Sequence, residues 1–141
     1  VARKPETAYR MAVEKYIPRT VHKQAMGLFL DGTPDRYYES DHPHTPTLWI
    51  EYKFTPKLKK DGVIFLRDGK KKPFITGLQF DWIKRAVSHN IPAFFILGIG
   101  ESKTGIILSI EDANKRTHIN DYVRLGNKHM AEWITESVSK S

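Results

Sequence analysis

The 141-residue chain contains no cysteine. Disulfides, thiolate metal ligands and cysteine nucleophiles are thereby excluded together, and the chain is indifferent to the redox state of its compartment. It also lacks any apolar run near the ~18 residues that a membrane span requires, and residues 1–6 are too polar for a secretory signal. The expectation is a soluble, intracellular, cytoplasmic protein. Internal repeats, low-complexity tracts and a Walker-type glycine loop are missing too, and Gly98-x-Gly100 is too short and wrongly placed for a dinucleotide fingerprint. Acid is the scarcer charge: 16 Asp and Glu stand against 23 Lys and Arg, a formal net charge of +7. That excess favours a polyanionic partner such as nucleic acid without selecting one.

What is present suits one compact domain over residues 1–141, with a modest core drawn from 40% apolar residues. Pro5 to Ile17 has the pattern of a helix, opened by Pro5 and stopped by Pro18, with Tyr9, Ala12, Val13, Tyr16 and Ile17 on one face. Glu6 borders that face, whereas Glu14 falls well round toward solvent. Gln24 to Leu30 predicts a strand, the Asp31-Gly32-Thr33-Pro34 turn leads into Asp35 to Tyr38, and Ser40 to Pro46 is a loop. Thr47 to Phe54 alternates, placing Leu48, Ile50, Tyr52 and Phe54 on one face and Trp49, Glu51 and Lys53 on the other. The apolar face belongs to the core, so the polar one should look into a cleft or solvent.

Val63 to Leu66 predicts a further strand, and Gly77 to Ser88 a second helix with a possible Thr76/Gln79 capping box. Ala93 to Leu97 is continuously apolar, as in a central strand covered on both faces, with Gly105 to Ile110 as its hairpin partner. A last helix is expected from about Asn120 to Val138, carrying Met130, Trp133, Ile134 and Val138 at helical spacing. The order predicts an α/β sandwich around a mixed sheet, with a core over about 5–110 and an added C-terminal helix at about 120–138.

The chemistry-bearing residues are Asp35, Glu51, Lys53 and Gln79. Asp35 and Glu51 offer hard oxygen ligands of the kind Mg²⁺ or Mn²⁺ accepts while leaving coordination positions for water and a phosphate. Lys53, two residues beyond Glu51 on the same strand face, can hold an attacking water or meet charge growing on a phosphorane. Simpler readings stand beside these. Asp35 can close a turn, Glu51 and Lys53 can be a same-face ion pair, and Gln79 can be no more than the capping partner of Thr76. His42 and His44 sit in a proline-broken loop without a third ligand at fixed spacing, which argues for a solvated loop over a zinc site.

Taken together, Gly32, Pro34 and Asp35, then Glu51 and Lys53, then Gln79 resemble the G-x-P-D, E-x-K and helix-glutamine motifs of the PD-(D/E)XK nuclease superfamily, and within it the VRR-NUC group of phage and repair nucleases. The resemblance spans about Pro5 to Gly98. It implies a restriction-endonuclease-like αβββαβ core and a Mg²⁺ (or Mn²⁺) dependent DNA endonuclease working as a homodimer. Asp35, Glu51, Lys53 and Gln79 would be its catalytic residues. Asp35 and Glu51 would hold the metal, joined by the helical acid, for which Glu6 is favoured over Glu14.

The stretch from Phe54 to Gly77 is longer and more basic than that group's usual link. Its Lys57, Lys59, Lys60, Arg67, Lys70, Lys71 and Lys72 would contact the DNA backbone if they do more than solubilise a loop, and Phe65 or Phe74 would stack on a base. A junction or flap resolvase and an inert DNA-binding module are the competing functions.

Overall fold

The computed structural model describes residues 4–25, 34–67 and 75–140. In chain order the elements are α1 (Pro5–Glu14), β1 (Val21–Ala25), β2 (Arg36–Ser40), β3 (Leu48–Thr55), β4 (Val63–Ile64), α2 (Gly77–Ser88), β5 (Ala93–Ile99), β6 (Thr104–Leu108), α3 (Ile110–Ala113), β7 (Thr117–His118), β8 (Leu125–Gly126) and α4 (Asn127–Ser139). Among the described residues, six strands form one sheet in the order β1-β2-β3-β5-β6-β8, and β4 pairs with β7 in a small ribbon. Only β3 and β5 run parallel, joined through α2; the other pairings are antiparallel. This is the expected mixed α/β sandwich. No helix among the described residues is long and apolar enough to cross a membrane.

Two cores cover the two faces. On one, Tyr9 and Val13 of α1 and Met130, Ala131, Ile134 and Val138 of α4 close over Leu48, Ile50, Tyr52 and Ile96. On the other, Phe80, Ile83 and Ala86 of α2, with residues of α3 and the ribbon, cover Phe95, Leu97, Ile106 and Leu108. β5 is buried along nearly its whole length because it lies in the middle of the sheet between these layers. α1 is docked through Tyr9, whose ring lies on Gly98 and Gly105. Those glycines are opposite partners on β5 and β6, and a Cβ on Gly98 would lie 2.7 Å from that ring and one on Gly105 2.0 Å from its hydroxyl oxygen.

Several boundaries move. α1 ends at Glu14, not Ile17. β1 is described over Val21–Ala25, ahead of the expected Gln24 to Leu30, whose remaining residues lie outside the described ones. The C-terminal helix starts at Asn127 rather than Asn120, because residues 110–126 are used for α3, β7, a 3₁₀ turn and the edge strand β8. The sheet therefore runs past the expected core limit of about residue 110. Glu14 is the clearest correction: instead of facing solvent it is 4% exposed, drawn inward by Arg10, Arg36 and Tyr38.

Candidate active site

The site forms where β2 stops covering the edge of β3. The ladder between these strands ends at Arg36 opposite Ile50, so the amide of Tyr52 has no strand partner there. The Asp35 carboxylate takes that role, Tyr52 N–H donating to its Oδ2 at 2.8 Å. A residue whose sequence neighbourhood suggests a turn is thus fixed at the sheet edge, its orientation set by backbone. Burial raises the Asp35 pKa, with the Tyr52 amide and the Lys53 ammonium acting in the opposite direction.

Glu51 and Lys53 project from the other side of β3, onto the face covered by α2. The alternation of β3 is as read, but the polar face does not look into solvent: Glu51 is 3% exposed and the Lys53 side chain 13%. α2 produces this burial. Trp49 and Trp82 stack with centroids 6.3 Å apart; Gln79, three residues before Trp82, then lies over Glu51, two residues after Trp49. The Gln79 amide works at both ends. Its Oε1 accepts from the Thr76 backbone N–H at 3.0 Å while Thr76 Oγ1 accepts from the Gln79 N–H, completing the capping box, and its Nε2 donates to Glu51 Oε2 at 3.2 Å. Lys53 Nζ reaches the same oxygen at 3.5 Å. Capping and orientation coexist in one side chain.

The second oxygen of Glu51, Oε1, is buried without a hydrogen-bond partner among the described residues. Burial first, then repulsion from Asp35, push the Glu51 pKa up to about 9, against the pull of Lys53; Glu6 adds further repulsion. An orphaned, desolvated carboxyl oxygen beside a second carboxylate is costly unless something cationic joins it. The donor set fits a hard divalent cation, since Mg²⁺ is commonly bound by one or two carboxylates with waters and substrate phosphate filling the remaining positions. Among the described residues, no three His, Asp or Glu side chains converge into a complete protein cage.

Glu6 and Glu14 separate clearly. Glu6 lines a cleft of about 130 Å³ together with Thr7, Arg10, Ala25, Asp35, Arg36 and Tyr52. Glu14, two turns further along α1, accepts from Arg10, Arg36 and the Tyr38 hydroxyl, and Tyr38 in turn bonds Tyr52 Oη at 2.6 Å. Arg10 and Arg36 are cleft residues that the sequence pattern does not single out. The available clue is the spacing of Arg10, four residues from both Glu6 and Glu14.

The basic segment is divided. Lys57, Lys59 and Lys60 are exposed on a loop pinned by Glu101, whose Oε1 accepts from Leu58 N–H at 3.0 Å and whose N–H donates to Pro56 O at 2.8 Å. Arg67 instead lies over the Phe80 ring at 3.9 Å and donates to Asn114 Oδ1, while Arg116 lies over Phe65. Lys70, Lys71, Lys72 and Phe74 lie outside the described residues, as do Gly32 and Thr33. In the loop of His42 and His44, the neighbouring Asp41 pairs with His22 of β1.

No family model matches the chain. No curated protein matches it either. Among solved structures it is similar to Hjc of Archaeoglobus fulgidus, a Holliday junction resolvase from an archaeal hyperthermophile, at 12% identity and a TM-score of 0.53. The likeness covers 92% of this chain and 97% of that one. The two therefore share a fold, a mixed sheet flanked by helices, over nearly their whole lengths.

Proposed function

We propose that the chain is a Mg²⁺ (or Mn²⁺) dependent DNA endonuclease of PD-(D/E)XK type. The observation that carries this reading is the half-buried Asp35 beside the buried Glu51, with Glu51 gripped on one oxygen by Lys53 and Gln79 and, among the described residues, unpartnered on the other. Asp35 and Glu51 would hold the cation, with Glu6 facing it across the cleft. When bound, the metal would lower the pKa of a water and polarise the phosphoryl oxygen. The chain's own residues supply the rest. The Tyr52 amide keeps Asp35 aimed at the cleft, Gln79 sets the rotation of the Glu51 carboxylate, and Lys53 stands ready to orient the attacking water or stabilise charge developing on phosphorus. Lys57, Lys59 and Lys60, with Lys70, Lys71 and Lys72, would follow the DNA backbone. Arg67 is a weaker candidate for that contact, its guanidinium being engaged by Phe80 and Asn114.

Cleavage of four-way junctions is the second reading, favoured by the end-to-end fold likeness to a Holliday junction resolvase. A homodimer suits it, since two-fold symmetry would bring two sites to the paired strands of one junction. The test is a panel of four-way junction, flap, single-stranded and linear duplex DNA incubated with Mg²⁺, Mn²⁺ or EDTA. We expect metal-dependent cutting that Glu51→Gln removes. Preference for the junction would select the resolvase, equal cutting of duplex would select a general endonuclease, and tight binding without cutting by folded protein in either metal would leave a DNA-binding module.

A further inference from the structure

We infer that Arg10 and Arg36, held by Glu14, form a phosphate-binding subsite on the wall of the cleft that contains Asp35, and that it takes a backbone phosphate neighbouring the one cleaved. The inference rests on the nuclease reading for its substrate, but its geometry is independent of the metal.

Glu14 is 4% exposed, yet the side chains that hold it remain more open, at 17% for Arg10 and 21% for Arg36. Both line the cleft beside Glu6 and Asp35, and Arg10 is close enough to Asp35 to favour its ionised form. Two guanidinium groups share one carboxylate. Glu14 engages Nη1 of Arg10 at 2.9 Å, and Nε and Nη2 of Arg36 at 3.1 and 3.4 Å. A guanidinium carries five N–H donors, so donor capacity remains on both for an anion in the cleft.

The supporting contacts lie behind the arginines: the Tyr38 hydroxyl donates to Glu14 at 2.8 Å and is itself bonded to Tyr52. Pinning two long side chains before binding removes entropy that a free arginine would lose on meeting DNA. A tie between α1 and β2 alone would need only one guanidinium, and would not need that pair to open on the cleft. Planar forks meeting a tetrahedral anion are the geometry in which arginine outperforms lysine.

The test combines the full chain, wild type and Arg10→Gln or Arg36→Gln, with a DNA duplex and a four-way junction in which each phosphate in turn is made neutral as a methylphosphonate. Binding is measured in Ca²⁺ across a salt series, and cleavage in Mg²⁺. We expect one linkage whose neutralisation weakens wild-type binding by roughly tenfold but barely affects the variants. We also expect KM raised by roughly tenfold with kcat nearly kept, and a log K against log salt slope flattened by about 0.9 per lost duplex contact.

Unchanged slope and unchanged phosphate sensitivity in the variants, whatever happens to Tm, would overturn the subsite and leave a structural clamp. Should a Gln variant not fold, the Lys variant keeps the charge without the fork, and sensitivity at that linkage should still fall. If wild type binds with the arginine-dependent linkage but cuts nothing, the subsite stands and the nuclease reading fails. If it cuts while no such linkage exists, the reverse holds; if it neither binds nor cuts, both fall.

Discussion

Two carboxylates, Glu14 and Glu51, are equally hidden, at 4% and 3% exposure, and lie on opposite faces of the same sheet. Glu14 is surrounded by donors: two arginines and a tyrosine hydroxyl meet its two oxygens. Glu51 has a lysine and an amide on one oxygen, nothing among the described residues on the other, and Asp35 as a neighbour. Burial is common to both, so burial does not mark function. The difference is satisfaction: one acid completes a structural junction, and the other keeps an oxygen with no partner among the described residues.

Exchanging each acid for its amide should expose that difference. On the proposed nuclease reading the largest effect expected is on cleavage, where Glu51→Gln should lose on the order of a thousandfold or more because a proposed metal ligand would be gone. Its Tm in EDTA should rise or hold, since a repelling, desolvated acid has been neutralised. Glu14→Gln should do the opposite to the fold, costing about 2–4 kcal/mol in a urea titration because two half-buried guanidinium groups and the Tyr38 hydroxyl lose their buried counter-charge. A Glu51→Gln protein that is less stable than Glu14→Gln would collapse the comparison.

Next comes Gln79→Ala, which removes the Glu51 contact and the side-chain half of the capping box, while Thr76 Oγ1 keeps the backbone N–H of residue 79. We expect a loss of about 10- to 100-fold in activity or metal affinity, and less than about 1 kcal/mol in stability from the lost bond to the Thr76 N–H. Gln79→Glu, which keeps an acceptor for the Thr76 amide but brings negative charge to Glu51, should retain most of the cap and still fail in catalysis.

A smaller effect is expected from pH. The Glu51 carboxyl moves from its ordinary 4.5 in the unfolded chain to about 9 in the folded one. Folding therefore takes up a proton between these values, and without metal the contribution of this group to stability is full below about 4.5 and lost as pH rises toward about 9. Melting curves in EDTA should fall across that window, flatten when Mg²⁺ or Mn²⁺ is added, and flatten likewise in Glu51→Gln. A fall of equal size in Glu51→Gln would assign the pH dependence elsewhere. The smallest effect should come from the exposed loop: Lys57, Lys59 and Lys60 changed together to Ala should leave Tm within about 1 °C, while the salt dependence of DNA binding flattens.

How much of this was legible follows from what carries a local signal. β3 and α2 were readable because alternation and a capping box are written into neighbouring residues, and their meeting was implied by the resemblance of Glu51, Lys53 and Gln79 to the E-x-K and helix-glutamine motifs. The stretch 110–126 was not, because a four-residue helix and two-residue strands are too short to show periodicity. Glu14 was misjudged for a different reason. A helical wheel places it correctly relative to Tyr9 and Val13, but the arginine that draws it inward, Arg36, lies on another element 22 residues away. The sequence pattern likewise shows that Glu51 shares a face with Lys53, and is silent on α2 sealing that face.

The paired glycines beneath Tyr9 divide the site into two separately adjustable halves. Asp35, Glu51 and Lys53 are held by the sheet and by α2, whereas Glu6 and Arg10 ride on α1, whose position is keyed by two absent methyl groups on β5 and β6. A methyl group restored at Gly105 would press on the Tyr9 hydroxyl and lift the helix as a unit, carrying one acid and one arginine away while the other three residues stay. Small changes on strands that bear none of these side chains can thus retune the spacing across the cleft, much as a shim under one jaw changes the gap of a vice without touching the other.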